Sequence, residues 1–106
     1  MKTVLRKHTL IGLILSTFAL PAIAADADEA VAKKIITCVA CHGVDGQSTA
    51  PIYPNLAGQA PEYLDMALKA YRAGEREGGM SAVMTPQATN LTDKDIADMS
   101  AYYSKQ

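Results

Sequence analysis

Two cysteines and a histidine stand at a spacing that can do chemistry. Cys38 and Cys41 are three positions apart, and His42 follows the second cysteine directly. If these residues form a helical turn, positions i and i+3 lie on one face, so both thiols can reach the two vinyl groups of one porphyrin. His42 can then place an imidazole nitrogen under the iron. The C-x-x-C-H pattern is therefore typical of covalent haem attachment.

Three other uses of a cysteine pair fit the sequence less well. A thioredoxin-like redox site requires a βαβ context, and no alternation of strand and helix patterns is present. A closed zinc site requires four ligands, whereas the chain has two Cys and two His, and His8 lies in a segment that we expect to be removed. A structural disulfide stays open as an alternative, but it leaves His42 without a role.

Residues 1–24 have the features of a secretory signal peptide. A basic start precedes an apolar run over residues 10–20, and small residues, Ala22-Ile23-Ala24, occupy the cleavage positions. The run is shorter than the about 20 residues that a membrane-spanning helix needs. We expect cleavage after Ala24, a periplasmic location and no stable membrane insertion of the mature chain.

Residues 25–106 then form a single domain with an acidic balance. Three of the ten basic residues lie in the signal segment, which leaves seven against eleven acidic residues, a formal charge of −4. This charge argues against nucleic acid as a partner, because nucleic-acid binding favours basic surfaces. A domain of this size is close to the limit at which an apolar core suffices, and a covalent haem would add to that core.

The periodicity of apolar residues predicts an all-α fold with about three main helices. The first covers residues 25–36, the second residues 61–73 and the last residues 92–106. Pro61 suits the first position of the second helix, and Thr92 with Asp95 resembles a capping box. The basic residues near the end of the second helix, Lys69, Arg72 and Arg76, suit its dipole, and we favour that role over contacts with haem propionates.

Two long segments lack a helical pattern and are predicted to be irregular. Residues 43–60 contain several glycines and prolines, and residues 75–91 contain Met80 and Met84. Irregular segments of this length are unusual in a compact domain, and wrapping a haem is a reason for them. On the residues alone, either Met80 or Met84 can be the second axial ligand of the iron.

At this point the chain resembles the class I cytochromes c of the small bacterial periplasmic type. It is also similar to one half of the dihaem bacterial cytochromes c. The resemblance covers essentially all of residues 25–106. It rests on the haem motif with Gly43, on Met84, on Pro51-Ile52-Tyr53-Pro54-Asn55-Leu56-Ala57-Gly58-Gln59, and on Leu91-Thr92-Asp93-Lys94-Asp95-Ile96-Ala97-Asp98 with Ala101-Tyr102-Tyr103.

The resemblance implies a role for each site residue. Cys38 and Cys41 would form the two thioethers of one haem c, and His42 would be the proximal ligand. The carbonyl of Pro54 would accept a hydrogen bond from the other nitrogen of that histidine. In the family the distal methionine lies seven residues before the leucine that opens the last-helix motif, which here selects Met84.

The resemblance also implies a function. His/Met ligation fills both axial positions, so we expect an electron carrier and not an enzyme. Its partners would be redox proteins: a dehydrogenase or cytochrome complex as donor, and an oxidase or reductase as acceptor. We expect a monomer. Two alternatives stay open, namely a haem subunit permanently docked on a periplasmic dehydrogenase, and a haem sensor or enzyme that binds a small ligand.

Overall fold

The computed structural model describes residues 29–106, and this part of the chain consists of helices and loops without a strand. We number its helical segments in chain order: α1 covers residues 29–34, α2 Ile36–His42, α3 Pro61–Arg72, α4 Ser81–Ala88 and α5 Asp93–Ser104. The prediction of an all-α fold is therefore confirmed. The predicted signal peptide and the start of the first helix lie outside the described residues.

The haem motif is part of the first helical run, which does not end at residue 36 as predicted. A single turn at Ile35 separates α1 from α2, and the Ile35 amide donates to the carbonyl of Val31 at 3.0 Å. Three residues past this point, the Cys38 amide donates back to the Ile35 carbonyl at 2.8 Å. The run ends at Gly43, whose φ of 78° favours glycine. The two thiols are therefore carried on consecutive helical turns.

The helices α3 and α5 begin where the sequence predicts. Pro61 is the first residue of α3. The capping box of α5 is complete, because the Asp95 amide donates to the Thr92 hydroxyl at 3.1 Å and the Thr92 amide donates to the Asp95 carboxylate at 3.0 Å. Two orphan amides at the start of α5 are thereby satisfied, which stabilises the helix that closes the core.

The core joins the two ends of the described chain. Ile35, Leu64, Met99 and Tyr103 form one buried cluster, so the first helical run, α3 and α5 share a single apolar core. At its edge, the Lys34 ammonium lies 2.8 Å from Asp95 and 2.9 Å from Asp98. The expected packing of the first against the last helix is therefore present.

The helix α4 was not predicted, because residues 75–91 were expected to be irregular. Pro86 lies inside α4, where it lacks the amide that a helix interior normally uses, and only Ala88 is fully buried. The helix forms because it packs against α3 and because Thr85 and Thr89 donate to backbone carbonyls one turn earlier, at 3.0 and 2.8 Å. Tertiary packing here overrides weak local propensity.

The loop between α2 and α3 is held together by its own backbone. The amides of Leu56 and Ala57 both donate to the carbonyl of Gly46, at 2.8 and 3.2 Å. Gly46 has a φ of +73°, and a Cβ on it would lie 2.5 Å from the Ala57 nitrogen. Only glycine permits this close approach.

The helices of residues 29–106 are all too short or too polar to span a membrane.

Candidate functional site

A cleft lies where the haem-motif helix, α3, α4 and α5 meet. Its empty volume is about 830 Å³, which includes space open to solvent. Apolar side chains form most of its walls: Leu56, Leu64, Ala67, Leu68 and Met99. The cleft therefore suits a large, mostly apolar molecule with a few polar attachment points.

His42 occupies the end of α2 and lines this cleft. The side chain is 5% exposed, and its Nδ1 lies 2.8 Å from the carbonyl oxygen of Pro54. Because a carbonyl oxygen can only accept, Nδ1 carries the proton and Nε2 keeps its lone pair. Such a bond is what orients a metal-binding histidine and selects its tautomer. His42 is therefore ready to act as a ligand through Nε2.

The two cysteines take different positions around the cleft. Cys38 lines it, whereas Cys41 is half-buried one turn later and lies outside its lining. Neither is in a disulfide. Burial raises the pKa of the Cys38 thiol, although a hydrogen bond with Thr37 acts against this. Both sulfur atoms are thus available for bonds to a further group.

The methionines of residues 29–106 are distributed unequally with respect to the cleft. Met84 on α4 is half-buried and lines it, together with Met99, which is 3% exposed and belongs to the core. Met80 stands at the start of α4, is 45% exposed and does not line the cleft, and Met66 points outward. Of the two candidate ligands left by the sequence, only Met84 shares a cavity with His42.

The polar side chains that line the cleft in addition to the expected site residues include Ser100, which was given no role from the sequence, and Arg76, which was expected to suit the dipole of α3. The buried hydroxyl of Ser100 has no hydrogen-bond partner among the described residues. Arg76 also lines the cleft, and its guanidinium lies 4.5 Å from the centre of the Tyr71 ring. Ser100 lies on the apolar face of α5, so its position was predictable, but nothing in the sequence distinguished it from a packed serine.

These observations together fit a haem. The walls of the cleft are apolar, and the His42 imidazole, the Met84 thioether and the Cys38 thiol line it. The guanidinium of Arg76 is a suitable partner for the haem propionates. In residues 29–106 no cluster of three or more His, Cys, Asp or Glu side chains could hold a metal ion, so a zinc site finds no ligand set there. Unlike Arg76, Arg72 does not line the cleft, and its guanidinium donates hydrogen bonds to Leu91 and Asp93.

Known proteins with similar sequences and folds agree with this description. The family model "Cytochrome c" matches residues 25–105. Cytochrome c-554(548) of Halomonas halodenitrificans is 64% identical over 73 residues, which cover 69% of this chain and 88% of that protein. Cytochrome c4 of Pseudomonas aeruginosa is 41% identical over 101 residues, covering 93% of this chain and 49% of that protein. The chain thus spans about half the length of this cytochrome c4.

A solved structure supports the same fold. Cytochrome c4 of Acidithiobacillus ferrooxidans superposes with a TM-score of 0.63 at 33% identity, covering 77% of this chain and 50% of that one. Two relatives are named for dehydrogenases: "Thiosulfate dehydrogenase electron acceptor" of Stutzerimonas stutzeri, 33% identical over 72 residues (68% of this chain, 33% of that protein), and "Cytochrome subunit of sulfide dehydrogenase" of Chlorobaculum tepidum, 35% identical over 68 residues (64% and 58%).

The family match and the Cys38-to-His42 motif show that the cofactor is one covalent haem c. The function is electron transfer with redox proteins as partners. The chain belongs to the cytochrome c family.

Proposed function

We propose that the mature chain, residues 25–106, is a periplasmic carrier that shuttles single electrons between respiratory redox partners. In this proposal Cys38 and Cys41 would form the thioethers, and His42 and Met84 would ligate the iron. The observation that carries it is that the His42 imidazole and the Met84 side chain line the same apolar cleft from different helices. Haem c supplies a reversible ferric/ferrous couple when it is bound there.

The chain's own residues account for the behaviour of a carrier. The Pro54 carbonyl holds the His42 ring in one tautomer. Its Nε2 would therefore be free to ligate the iron in both the ferric and the ferrous state. The apolar side chains of α3, including Leu64 and Leu68, exclude water from the cleft. With His42 and Met84 both holding the iron, a substrate would find no ligand position open. The protein therefore orients and shields its cofactor and performs no bond chemistry on other molecules.

Covalent attachment has a direct test. The mature protein should have the mass of residues 25–106 plus one haem, and it should keep its colour on a denaturing gel. Replacing both Cys38 and Cys41 by alanine should abolish this retention, and the resulting chain should lack cooperative thermal unfolding because the small core depends on the bound group. Extraction of the haem by acidified acetone from the unaltered protein would contradict the proposal.

Exposure of the reduced protein to carbon monoxide separates a carrier from a ligand-binding sensor or enzyme. A carrier with both axial positions filled should keep its ferrous spectrum unchanged under carbon monoxide at neutral pH. The Met84→Ala variant should bind the gas, which provides the positive control. Binding to the unaltered protein at comparable affinity would favour the sensor or enzyme alternative.

A permanently docked dehydrogenase subunit is the second candidate function. It is supported by the two relatives whose printed names refer to thiosulfate and sulfide dehydrogenases. Size-exclusion chromatography of the protein isolated from its native source separates the two candidates. A free carrier should elute as a monomer of the mature chain, because redox encounters use small and transient interfaces. Stable co-elution with a larger enzyme would establish the docked subunit.

A further inference from the structure

Arg72 connects α3 to the segment that follows α4. It is the last residue of α3, and its Nη1 donates to the carbonyl of Leu91 at 2.9 Å. Its Nη2 donates to the carboxylate of Asp93, the first residue of α5, at 2.6 Å. One planar guanidinium thus binds two points of the α4–α5 junction at once, which is a geometry that lysine cannot reproduce.

Apart from its packing against α3, the helix that carries Met84 has few other attachments. At its start, the residue before the helix, Met80, provides no side-chain cap, and residues 78–80 are all exposed. Pro86 interrupts its hydrogen bonding, and Ala88 is its only fully buried residue. At its end, the Leu91 amide donates to the Ala88 carbonyl at 3.1 Å, so Leu91 follows α4 through a single turn. Whatever holds Leu91 therefore also limits the movement of α4.

We propose that Arg72 is a positioning residue for Met84: by binding the Leu91 carbonyl, it holds α4 against α3 and keeps the methionine sulfur directed into the cleft. The contact with Leu91 carries this effect, and the ion pair with Asp93 adds little to it. Asp93 has an exposed side chain at 76%, where a single ion pair contributes little. The inference rests on the proposed role of Met84 as a ligand.

Binding of imidazole to the ferric protein measures how readily the methionine leaves the iron. In Arg72→Gln we expect the apparent affinity for imidazole to rise about tenfold or more, as for loss of a hydrogen bond from a charged donor. The weak far-red band of methionine ligation should bleach at correspondingly lower imidazole concentration. Arg72→Lys can keep only one of the two contacts, so its affinity for imidazole should lie between that of the unaltered protein and that of Arg72→Gln.

Two control variants separate this contact from general effects. Lys69→Gln removes the same charge from the same helix and breaks only an i,i+4 ion pair with Asp65. Asp93→Asn removes the ion pair of Arg72 but leaves the Leu91 carbonyl in place. Both should bind imidazole within about twofold of the unaltered protein. If Arg72→Gln also stays within twofold, or if Asp93→Asn matches Arg72→Gln, the inference is wrong.

Hydrogen exchange provides a readout that does not depend on the identity of the ligand. In Arg72→Lys, which is the variant more certain to assemble, the amides of α4 should exchange faster while those of α5 keep their protection. Equal protection of α4 in both proteins would overturn the inference. If instead Met84→Ala keeps the far-red band, the proposed ligand is wrong, and the exchange of α4 still tests the role of Arg72.

Discussion

The imidazole Nδ1 of His42 lies 2.8 Å from the carbonyl oxygen of Pro54, twelve residues later in the chain. The intervening loop makes this contact possible because it folds back on Gly46, whose carbonyl accepts from the amides of Leu56 and Ala57. The orientation of the histidine therefore depends on the backbone closure between Gly46 and residues 56–57, which holds Pro54 in place. This dependence can be tested at Gly46.

Gly46→Ala should disrupt the loop much more than Gly58→Ala. Both glycines have positive φ, +73° and +72°, so a side chain costs roughly 1–2 kcal/mol at either position. At Gly46 the new Cβ would also lie 2.5 Å from the backbone of Ala57, whereas at Gly58 nothing lies within 4 Å. We expect a loss of more than about 3 kcal/mol for Gly46→Ala, measured by denaturant unfolding of the holoprotein. Equal losses would show that the close approach is unimportant.

Two adjacent tyrosines of α5 hold the residues that follow the haem motif. The Tyr103 hydroxyl donates to the carbonyl of Gly43 at 3.0 Å, and the Tyr102 hydroxyl donates to the carbonyl of Val44 at 2.6 Å. Tyr103 is 3% exposed, and burial raises the pKa of its phenol, so it stays a neutral donor. Tyr103→Phe should cost about 1 kcal/mol, or about 4–8 °C in Tm.

Tyr102→Phe serves as the matched comparison. Its bond lies at the surface, where water can replace the lost hydroxyl, so the cost should be clearly smaller than for Tyr103→Phe. Thermal unfolding of both holoproteins, followed by circular dichroism, provides the measurement. A larger loss for Tyr102→Phe would mean that the exposed bond to Val44 and not the part-buried one to Gly43 connects α5 to the motif.

The Lys34 cluster predicts a specific dependence of stability on pH. Side-chain hydrogen bonds from Lys34 hold the pKa values of Asp95 and Asp98 below their ordinary value of 3.8. As the pH falls, the unfolded chain takes up protons first, so this stabilisation is complete above about pH 5 and decreases below pH 4. Lys34→Gln should therefore lower Tm at pH 7, and the difference from the unaltered protein should shrink below pH 4.

The control for this experiment is Lys33→Gln, which breaks an exposed ion pair with Glu29. It should leave Tm almost unchanged at every pH. Contributions to the pH dependence that are common to all three proteins cancel in the differences. A Lys34→Gln difference that stays constant down to pH 2 would show that the cluster does not contribute through the charges of Asp95 and Asp98.

Much of the fold follows from patterns that lie close together in the sequence. Pro61 and the Thr92–Asp95 capping box mark helix starts through local backbone chemistry, and the structure has both helices starting at these predicted positions. Ile35 lies in the first predicted helix and is buried in the core, as the periodicity of apolar residues predicts for one face of a helix. The haem motif is likewise local, which is why its three residues could be assigned a chemistry without a structure.

The features that the sequence did not predict depend on contacts between distant residues. The helix α4 contains Pro86 and has no apolar stripe, so its formation required the packing surface of α3. The residues alone also left Met80 and Met84 open, and only the family resemblance selected Met84, because the difference depends on which of them turns toward the cleft. The hydrogen bonds from Arg72 to the α4–α5 junction join residues about twenty positions apart, and no local sequence pattern predicts them.

The pair of variants Met84→Ala and Met80→Ala tests the central claim most directly, through the weak far-red absorption band of the ferric holoprotein. Met84→Ala should abolish the band, lower the reduction potential and open the iron to carbon monoxide. Met80→Ala should keep the band and lose at most a little packing stability, since Met80 is 45% exposed. Loss of the band in Met80→Ala together with its retention in Met84→Ala would contradict the account, and retention in both would mean that neither methionine is the ligand.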